Sequence, residues 1–343
     1  MNDIVITGIG ALRPGGAVPV PAEGRTGGKI DWAPPAGPAC LVDFDAKAEL
    51  GRKAVRFNHR STVLAMGAFE RALADAGLTV TDDNRDLIGI TVGTTLGSVA
   101  GVTEFGVDSF DRERPYVVDA ARFPSAALNC AAAALAIRAG LRGVNATVAG
   151  GPLSAVGALR HAQVMIRARH AQGVVAGSSE EFSAPDAWWG RTHRATGTPG
   201  EGAAMFVLED AEAAAAAGRQ ARGRLAGTVV RSVGVLDADS VSRVVREALE
   251  LSGVAAGDIA TAAVRATGVE EVDAAQTAGL TSVLDVEPRF DEDSIGDCYS
   301  AHSALQLADV LERNPGEAAL VLAADPDGAL GAAVVTAAVV TAA

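Results

Sequence analysis

Short β-branched and small apolar runs alternate with Ala- and Leu-rich stretches along this 343-residue chain. Residues 3–10, 87–94, 145–151, 173–179, 203–210, 224–234, 261–268, 318–325 and 332–340 read as strands, and 61–76 and 241–252 as helices between them. Few polar positions interrupt the strands, which implies an α/β fold whose sheet is covered on both faces. The stretch from Glu70, "ERALADAGLTVTDDNRDLIGITVGT", is echoed from Arg246 by "REALELSGVAAGDIATAAVRATG". In each, a helix closes on a glycine C-cap and a short acidic loop leads into a strand. The echo predicts a duplicated chain, two similar halves packed about a pseudo-twofold. The Ala- and Gly-rich stretch 211–223 would join them, giving halves of 1–215 and 216–343.

One segment raises a chemical question. "LRGVNATVAGGPLSAVGALRHA", residues 141–162, reads as a buried strand, a sharp turn at Gly150-Gly151-Pro152 and an apolar helix. A helix N-terminus presents free N–H groups and the positive end of its dipole, which suits a nucleophile or a developing negative charge. The tip of the turn carries Val148, Ala149 and two glycines, with no Cys, Ser or Lys.

Composition narrows the classes. Half of the residues are apolar and only 4% aromatic, which suits tight helix–sheet layers. With 29 basic and 42 acidic residues the formal charge is −13, so a nucleic acid is excluded as a bulk partner; the local basic residues are Arg160, Arg167 and Arg169. The three cysteines, Cys40, Cys130 and Cys298, are too few and too widely spaced for a disulfide scaffold and point to the cytoplasm. The opening residues lack the basic and apolar regions of a signal peptide. The apolar C-terminal stretch is broken at Asp325-Pro326-Asp327-Gly328, so it reads as two core strands around a turn and not as a membrane span.

Other candidate motifs are weaker. Gly8 and Gly10 in "TGIGALRPGG" lack the third glycine of a dinucleotide loop and read as turn glycines. His59, His161, His170, His193 and His302 are scattered, with no CxxC or HExxH pattern for a metal. His161 and His170 read as surface helix residues. His302 is the one candidate base, with Cys298 as its nucleophile. Glu201, in a Gly-rich turn before a strand, reads as a brace for neighbouring backbone.

Taken together, "IVITGIGALRP", "PYVVDAARFPSAALNCAAAALAIRAGLRG", "GVVAGSSEE", "GEGAAMFVLEDAE" and "DGALGAAVV" resemble, in order and spacing, the β-ketoacyl synthases of the thiolase fold. The resemblance implies two similar α/β halves in a layered α-β-α-β-α arrangement, with no cofactor. It also implies a catalytic Cys on the turn and two His on second-half loops. Those positions fall on Ala149, Arg265 and Asp297, so all three functional side chains are missing. Losing a nucleophile of a catalytic unit costs on the order of a millionfold.

"GVEEVDAAQTAGL" and "IGDCYSAHSAL" further resemble the chain length factor branch of type II polyketide synthases. The chain departs from that branch in having Ala149 where Gln is usual and Asp297 where Arg is usual. The branch implies a heterodimer with an active ketosynthase, with the growing chain on an acyl carrier protein and no membrane. Here the pocket wall would come from residues 99–130, with Val102, Phe105, Phe110, Tyr116, Phe123 and Cys130 as candidates. Two other classes stay open: an acyltransferase or decarboxylase using Ser154, or Cys298 with His302, and a homodimeric acyl-binding scaffold.

Overall fold

The computed structural model describes residues 3–20, 32–193 and 197–337. Its main strands are β1 (Ile4–Leu12), β2 (Ile88–Thr94), β3 (Asn145–Ala149), β4 (Gly173–Glu180), β5 (Gly202–Asp210), β6 (Gly223–Ser232), β7 (Ile259–Val264), β8 (Ala318–Asp325) and β9 (Ala329–Thr336). The longer helices are α1 (Arg60–Ala76), α2 (Val99–Asp111), α3 (Cys130–Ala139), α4 (Ser154–Arg167), α5 (Ala184–His193), α6 (Ala238–Ser252), α7 (Glu270–Thr281) and α8 (His302–Arg313). Each strand run read from the sequence corresponds to one of these strands. The last prediction extends past Ala337 into residues that lie outside the described part.

The strand order carries the duplication. From the centre outward one half runs β1-β5-β4-β2-β3, and the other runs β6-β9-β8-β7 followed by the two-residue piece Pro288–Arg289. Both halves have the same sequence of antiparallel, antiparallel, parallel and parallel pairings. They join where Val5 and Ile6 of β1 pair with Arg224 and Gly223 of β6. The echoed units occupy matching places, α1 to β2 in one half and α6 to β7 in the other.

Three apolar clusters fill the spaces between layers. One packs α4 and α8 between strands of the two halves, through Leu159, Ile166, Leu305 and Val310. The second packs α1 and α3 on the outer side of the first half, and the third packs α6 and α7 on the outer side of the second. The layering is therefore α-β-α-β-α. It works because α4 and α8 bury apolar residues over most of their length, whereas outer helices such as α6 keep one charged face in water.

Two expectations are corrected. Gly8 and Gly10 are not in a turn but inside β1, where the strand presses on the α1 backbone. A Cβ on Gly10 would lie 2.0 Å from the Ala68 carbonyl oxygen, so the absence of a side chain sets the helix–strand distance. The strand at 145–149 is not buried. As β3 it is the sheet edge, with Asn145 and Ala149 exposed and the rest half-buried. Among the described residues, no helix is long and apolar enough to cross a membrane.

Candidate functional site

The glycine turn forms as the sequence implied. β3 ends at Ala149, a short 3-10 turn runs from Gly151 to Leu153, and α4 begins at Ser154. Gly151 takes φ +54°, a left-handed conformation that glycine adopts without steric cost. Ser154 is fully buried, and its Oγ accepts from the Gly150 N–H at 2.9 Å while lying 2.8 Å from the carbonyls of Thr94 and Gly151. This hydroxyl ties the turn to β2 and is not poised to attack a substrate. Ala149 presents only a methyl group.

Opposite the turn, tertiary packing joins two residues 32 apart in sequence. Arg265 follows β7 and Asp297 lies in the loop before α8; both are buried. The guanidinium donates twice to the carboxylate, Nε to Oδ1 at 3.0 Å and Nη2 to Oδ2 at 2.9 Å. The Arg265 pKa is raised: burial opposes its charge, but Asp297, together with Tyr299 and Glu292 beside it, offsets that penalty. Tyr299 places its ring 4.9 Å from the Arg265 guanidinium carbon, and its backbone N–H donates to Asp297 Oδ1 at 3.0 Å. Trp189 of α5 meets the same ring edge-on, with centroids 6.1 Å apart.

The remaining titratable groups here are arranged for structure. Glu292 accepts from the Ala266 N–H at 2.6 Å, and burial pushes its carboxyl up to about 7. His302 is fully buried; burial and the Arg265 charge push it down to about 3, so its ring is neutral. Its Nε2 lies 3.3 Å from Glu292 Oε1, close enough for an ion pair if it were charged. Cys298 does not use His302 as a base. Its thiol approaches the carbonyls of Ile295 and Glu201, at 3.3 and 3.4 Å, and burial raises it well above the usual thiol range.

Glu201 braces backbone as expected: it accepts from the Val42 N–H at 3.0 Å and pairs with Arg60. Glu181 holds two helix starts, accepting from Ser61 N–H of α1 at 3.1 Å and Ala100 N–H of α2 at 2.9 Å. His170 is exposed, but His161 is half-buried and bonds Thr91 Oγ1 through Nδ1 at 3.0 Å, because α4 lies between the layers and not on the surface.

Residues 40–214, half of the chain, match the family described as beta-ketoacyl synthase, N-terminal domain. The chain belongs to the beta-ketoacyl synthase family. A 3-oxoacyl-(acyl-carrier-protein) synthase 2 of Vibrio harveyi is 29% identical over 145 residues, 42% of this chain and 35% of that protein, so the match spans about a third of this curated relative. A Streptomyces halstedii protein named polyketide beta-ketoacyl synthase 2 is 30% identical over 307 residues, 79% of this chain and 72% of its own length. Among solved structures, the one titled "The ishigamide ketosynthase/chain length factor" superposes with a TM-score of 0.84 at 33% identity, covering 98% of this chain and 99% of that one.

In this beta-ketoacyl synthase relative the six expected wall residues fall into two environments. Phe110 is 88% exposed, and Val102, Tyr116 and Phe123 are also exposed, whereas Phe105 and Cys130 are half-buried. Phe105 meets Phe123 edge-on at 5.9 Å, and Cys130 Sγ lies 3.4 Å from Thr62 Oγ1. The segment is anchored by two buried carboxylates of α2: Glu104 pairs with Arg122, and Asp108 pairs with Arg112 and accepts from the Asp119 N–H. Sequence reasoning missed Tyr299 and Trp189 as parts of the site. Tyr299 lies in the "DCYSAHS" stretch, but its placement against Arg265 depends on a positive φ of +40° that no residue pattern reports.

Proposed function

We propose that this chain is the non-catalytic chain length factor of a cytoplasmic type II polyketide synthase. It pairs with an active ketosynthase and limits the number of malonyl condensations on a chain carried by an acyl carrier protein. One observation carries the reading: where family resemblance aligns the catalytic Cys and two His, this protein has a methyl group and a buried ion pair. Ala149 cannot accept an acyl group in any protonation state. The Arg265–Asp297 ion pair offers neither a neutral imidazole donor nor a base. The names of the Streptomyces halstedii relative and of the superposed structure support the same reading, and three unpaired thiols fit a cytoplasmic setting. The repeated strand order supports treating 1–215 and 216–343 as its two halves.

The partner would cover the apolar segment between Leu96 and Ile137. Exposed large apolar side chains concentrate there, Ile137 being 83% exposed. The half-open edge of β3 adds to the same argument. In that complex Val102, Phe105, Phe110, Tyr116, Phe123 and Cys130 form part of the acyl-chain wall. A chain extended beyond the available room meets an overpacking cost of about 1–3 kcal/mol or more per step.

The test is reconstitution. Alone, the purified chain takes up no label from radiolabelled acyl-carrier protein; with its ketosynthase it forms a one-to-one complex that makes product of one length. Phe123→Ala and Phe110→Ala lengthen that product. An acyl-enzyme on the lone chain, or full condensing activity without a companion, refutes the reading. Unchanged product length across all six wall substitutions removes the gating part.

A further inference from the structure

We infer that Glu104 and Arg122 are positioning residues for product length: their ion pair clamps the arm 112–126 to α2 and so fixes the depth at which Phe123 stops the growing chain. This rests on the chain length factor reading above. The contacts that hold the arm form one stripe. Gly97, just before α2, is followed by Gly101, Glu104 and Asp108 at intervals of four, three and four residues, which places them on one helix face. A Cβ on Gly101 would lie 2.8 Å from the Ser125 carbonyl oxygen, and one on Gly97 3.1 Å from Leu128 Cα, so the end of the arm rests directly on backbone. Further along, Arg122 Nη1 donates to Glu104 Oε2 at 3.1 Å. Asp108 ties the two ends of the excursion 112–119 together: its Oδ1 accepts from Arg112 Nε and Nη2 at 3.1 and 2.9 Å, and its Oδ2 from the Asp119 N–H at 2.9 Å.

The polarity of this stripe is informative. Glu104 and Asp108 are each only 8% exposed, on a helix whose other side shows Val102 and Phe110 to solvent. Apolar side chains of similar size often hold two elements together at least as well as a buried ion pair. What the guanidinium and carboxylate add is a single preferred geometry, and so a fixed register between arm and helix. That register passes straight to the wall. Glu104 and Arg122 are the chain neighbours of Phe105 and Phe123, whose rings meet edge-on at 5.9 Å, so the ion pair and the ring pair move as a unit. Tyr116 hangs in the excursion that Asp108 closes, its hydroxyl accepting from Arg114 Nη1 at 2.9 Å. A wall stops the acyl chain at one length only if it does not retreat under the added carbons. The clamp supplies that resistance.

The experiment frees the arm without touching the rings. The complex with the ketosynthase is prepared with Glu104→Gln, with Arg122→Gln, with both, with Phe123→Ala, and with Arg231→Gln, which breaks an ion pair to Glu247 on the outer side of the second half. Each is supplied with malonyl-loaded acyl carrier protein, and the products are resolved by mass. Loss of a partly buried pair lies between the exposed and the fully buried cases, so each single change at the clamp raises the ratio of longer products to the parent product by about tenfold. The double change raises it no further, because either single change already releases the arm. Arg231→Gln keeps the parent length, as a change that only lowers stability does. The clamp is refuted, and the gate kept, if Phe123→Ala lengthens the product while Glu104→Gln leaves it alone, or if the two single effects multiply in the double variant. If all six wall substitutions also leave length unchanged, the gating reading falls and the clamp with it. Where a clamp variant does not assemble with the ketosynthase, hydrogen exchange on the lone chain reads the arm directly. The Arg122 N–H donates to the Asp119 carbonyl at 3.0 Å; in Glu104→Gln its exchange rises about tenfold, and unchanged exchange overturns the clamp.

Discussion

Removing one partner of the Arg265–Asp297 pair tests whether these buried charges hold the second half together. Asp297→Ala deletes both acceptors of a guanidinium that is 2% exposed, and Arg265 Nη1 already lacks a partner. Breaking a buried pair from one side typically costs about 3–5 kcal/mol, because the remaining charge is left desolvated. Unfolding entropy of about 2.1 cal/mol/K per residue amounts to about 0.7 kcal/mol/K for a chain of this length, so Tm falls by about 4–7 °C. Replacing both members, Arg265→Met with Asp297→Leu, removes the charges together. It should cost no more than the lost stacking on Tyr299, about 0.5–2 kcal/mol. Differential scanning calorimetry at fixed pH and protein concentration compares the unaltered protein with these two variants. The reasoning fails if Asp297→Ala shifts Tm by less than about 1 °C, or if the double variant is as damaged as the single.

The pH profile carries two opposed slopes. The folded protein keeps on Glu292 a proton that the unfolded chain loses near 4.5, so this group costs stability as pH rises from 4.5 to about 7. The folded protein denies His302 the proton that the unfolded chain takes up near 6.5, so that contribution is complete above 6.5 and is lost as pH falls toward 3. Glu292→Gln keeps the acceptor for Ala266 N–H and exposes the His302 slope: stability then rises between pH 4.5 and 6.5 more steeply than in the unaltered protein, by up to about 1.4 kcal/mol per unit. Parallel urea-melt profiles for the two proteins would contradict this. Gly10→Ala drives a methyl into the Ala68 carbonyl and should cost at least the upper end of the usual overpacking range, about 3 kcal/mol, read as a lower urea midpoint. Glu181→Ala leaves the first N–H groups of α1 and α2 without their acceptor; about 2–4 kcal/mol is expected, and amide hydrogen exchange at Ser61 and Ala100 should rise together.

Much of this protein was legible along the chain. Strand and helix periodicity, the helix-ending glycines at Gly77 and Gly253, and the break at Asp325–Gly328 depend on neighbours a few residues away, and local preference decides them. The echo between Glu70 and Arg246 likewise reappears as a repeated strand order. Ala149 at the glycine turn was readable because a missing side chain is itself a sequence fact. The tertiary structure alone decided the rest. It brought Arg265 to Asp297 and set Tyr299 against Trp189, although Trp189 and Tyr299 are over a hundred positions apart. It made Gly8 and Gly10 points of helix contact in place of turn residues, and it left β3 at an edge although its composition suits a core strand. Sequence periodicity reports which face of an element is apolar, but not what that face meets. Long-range approach, burial and the charge states they impose arise only when the layers close on one another.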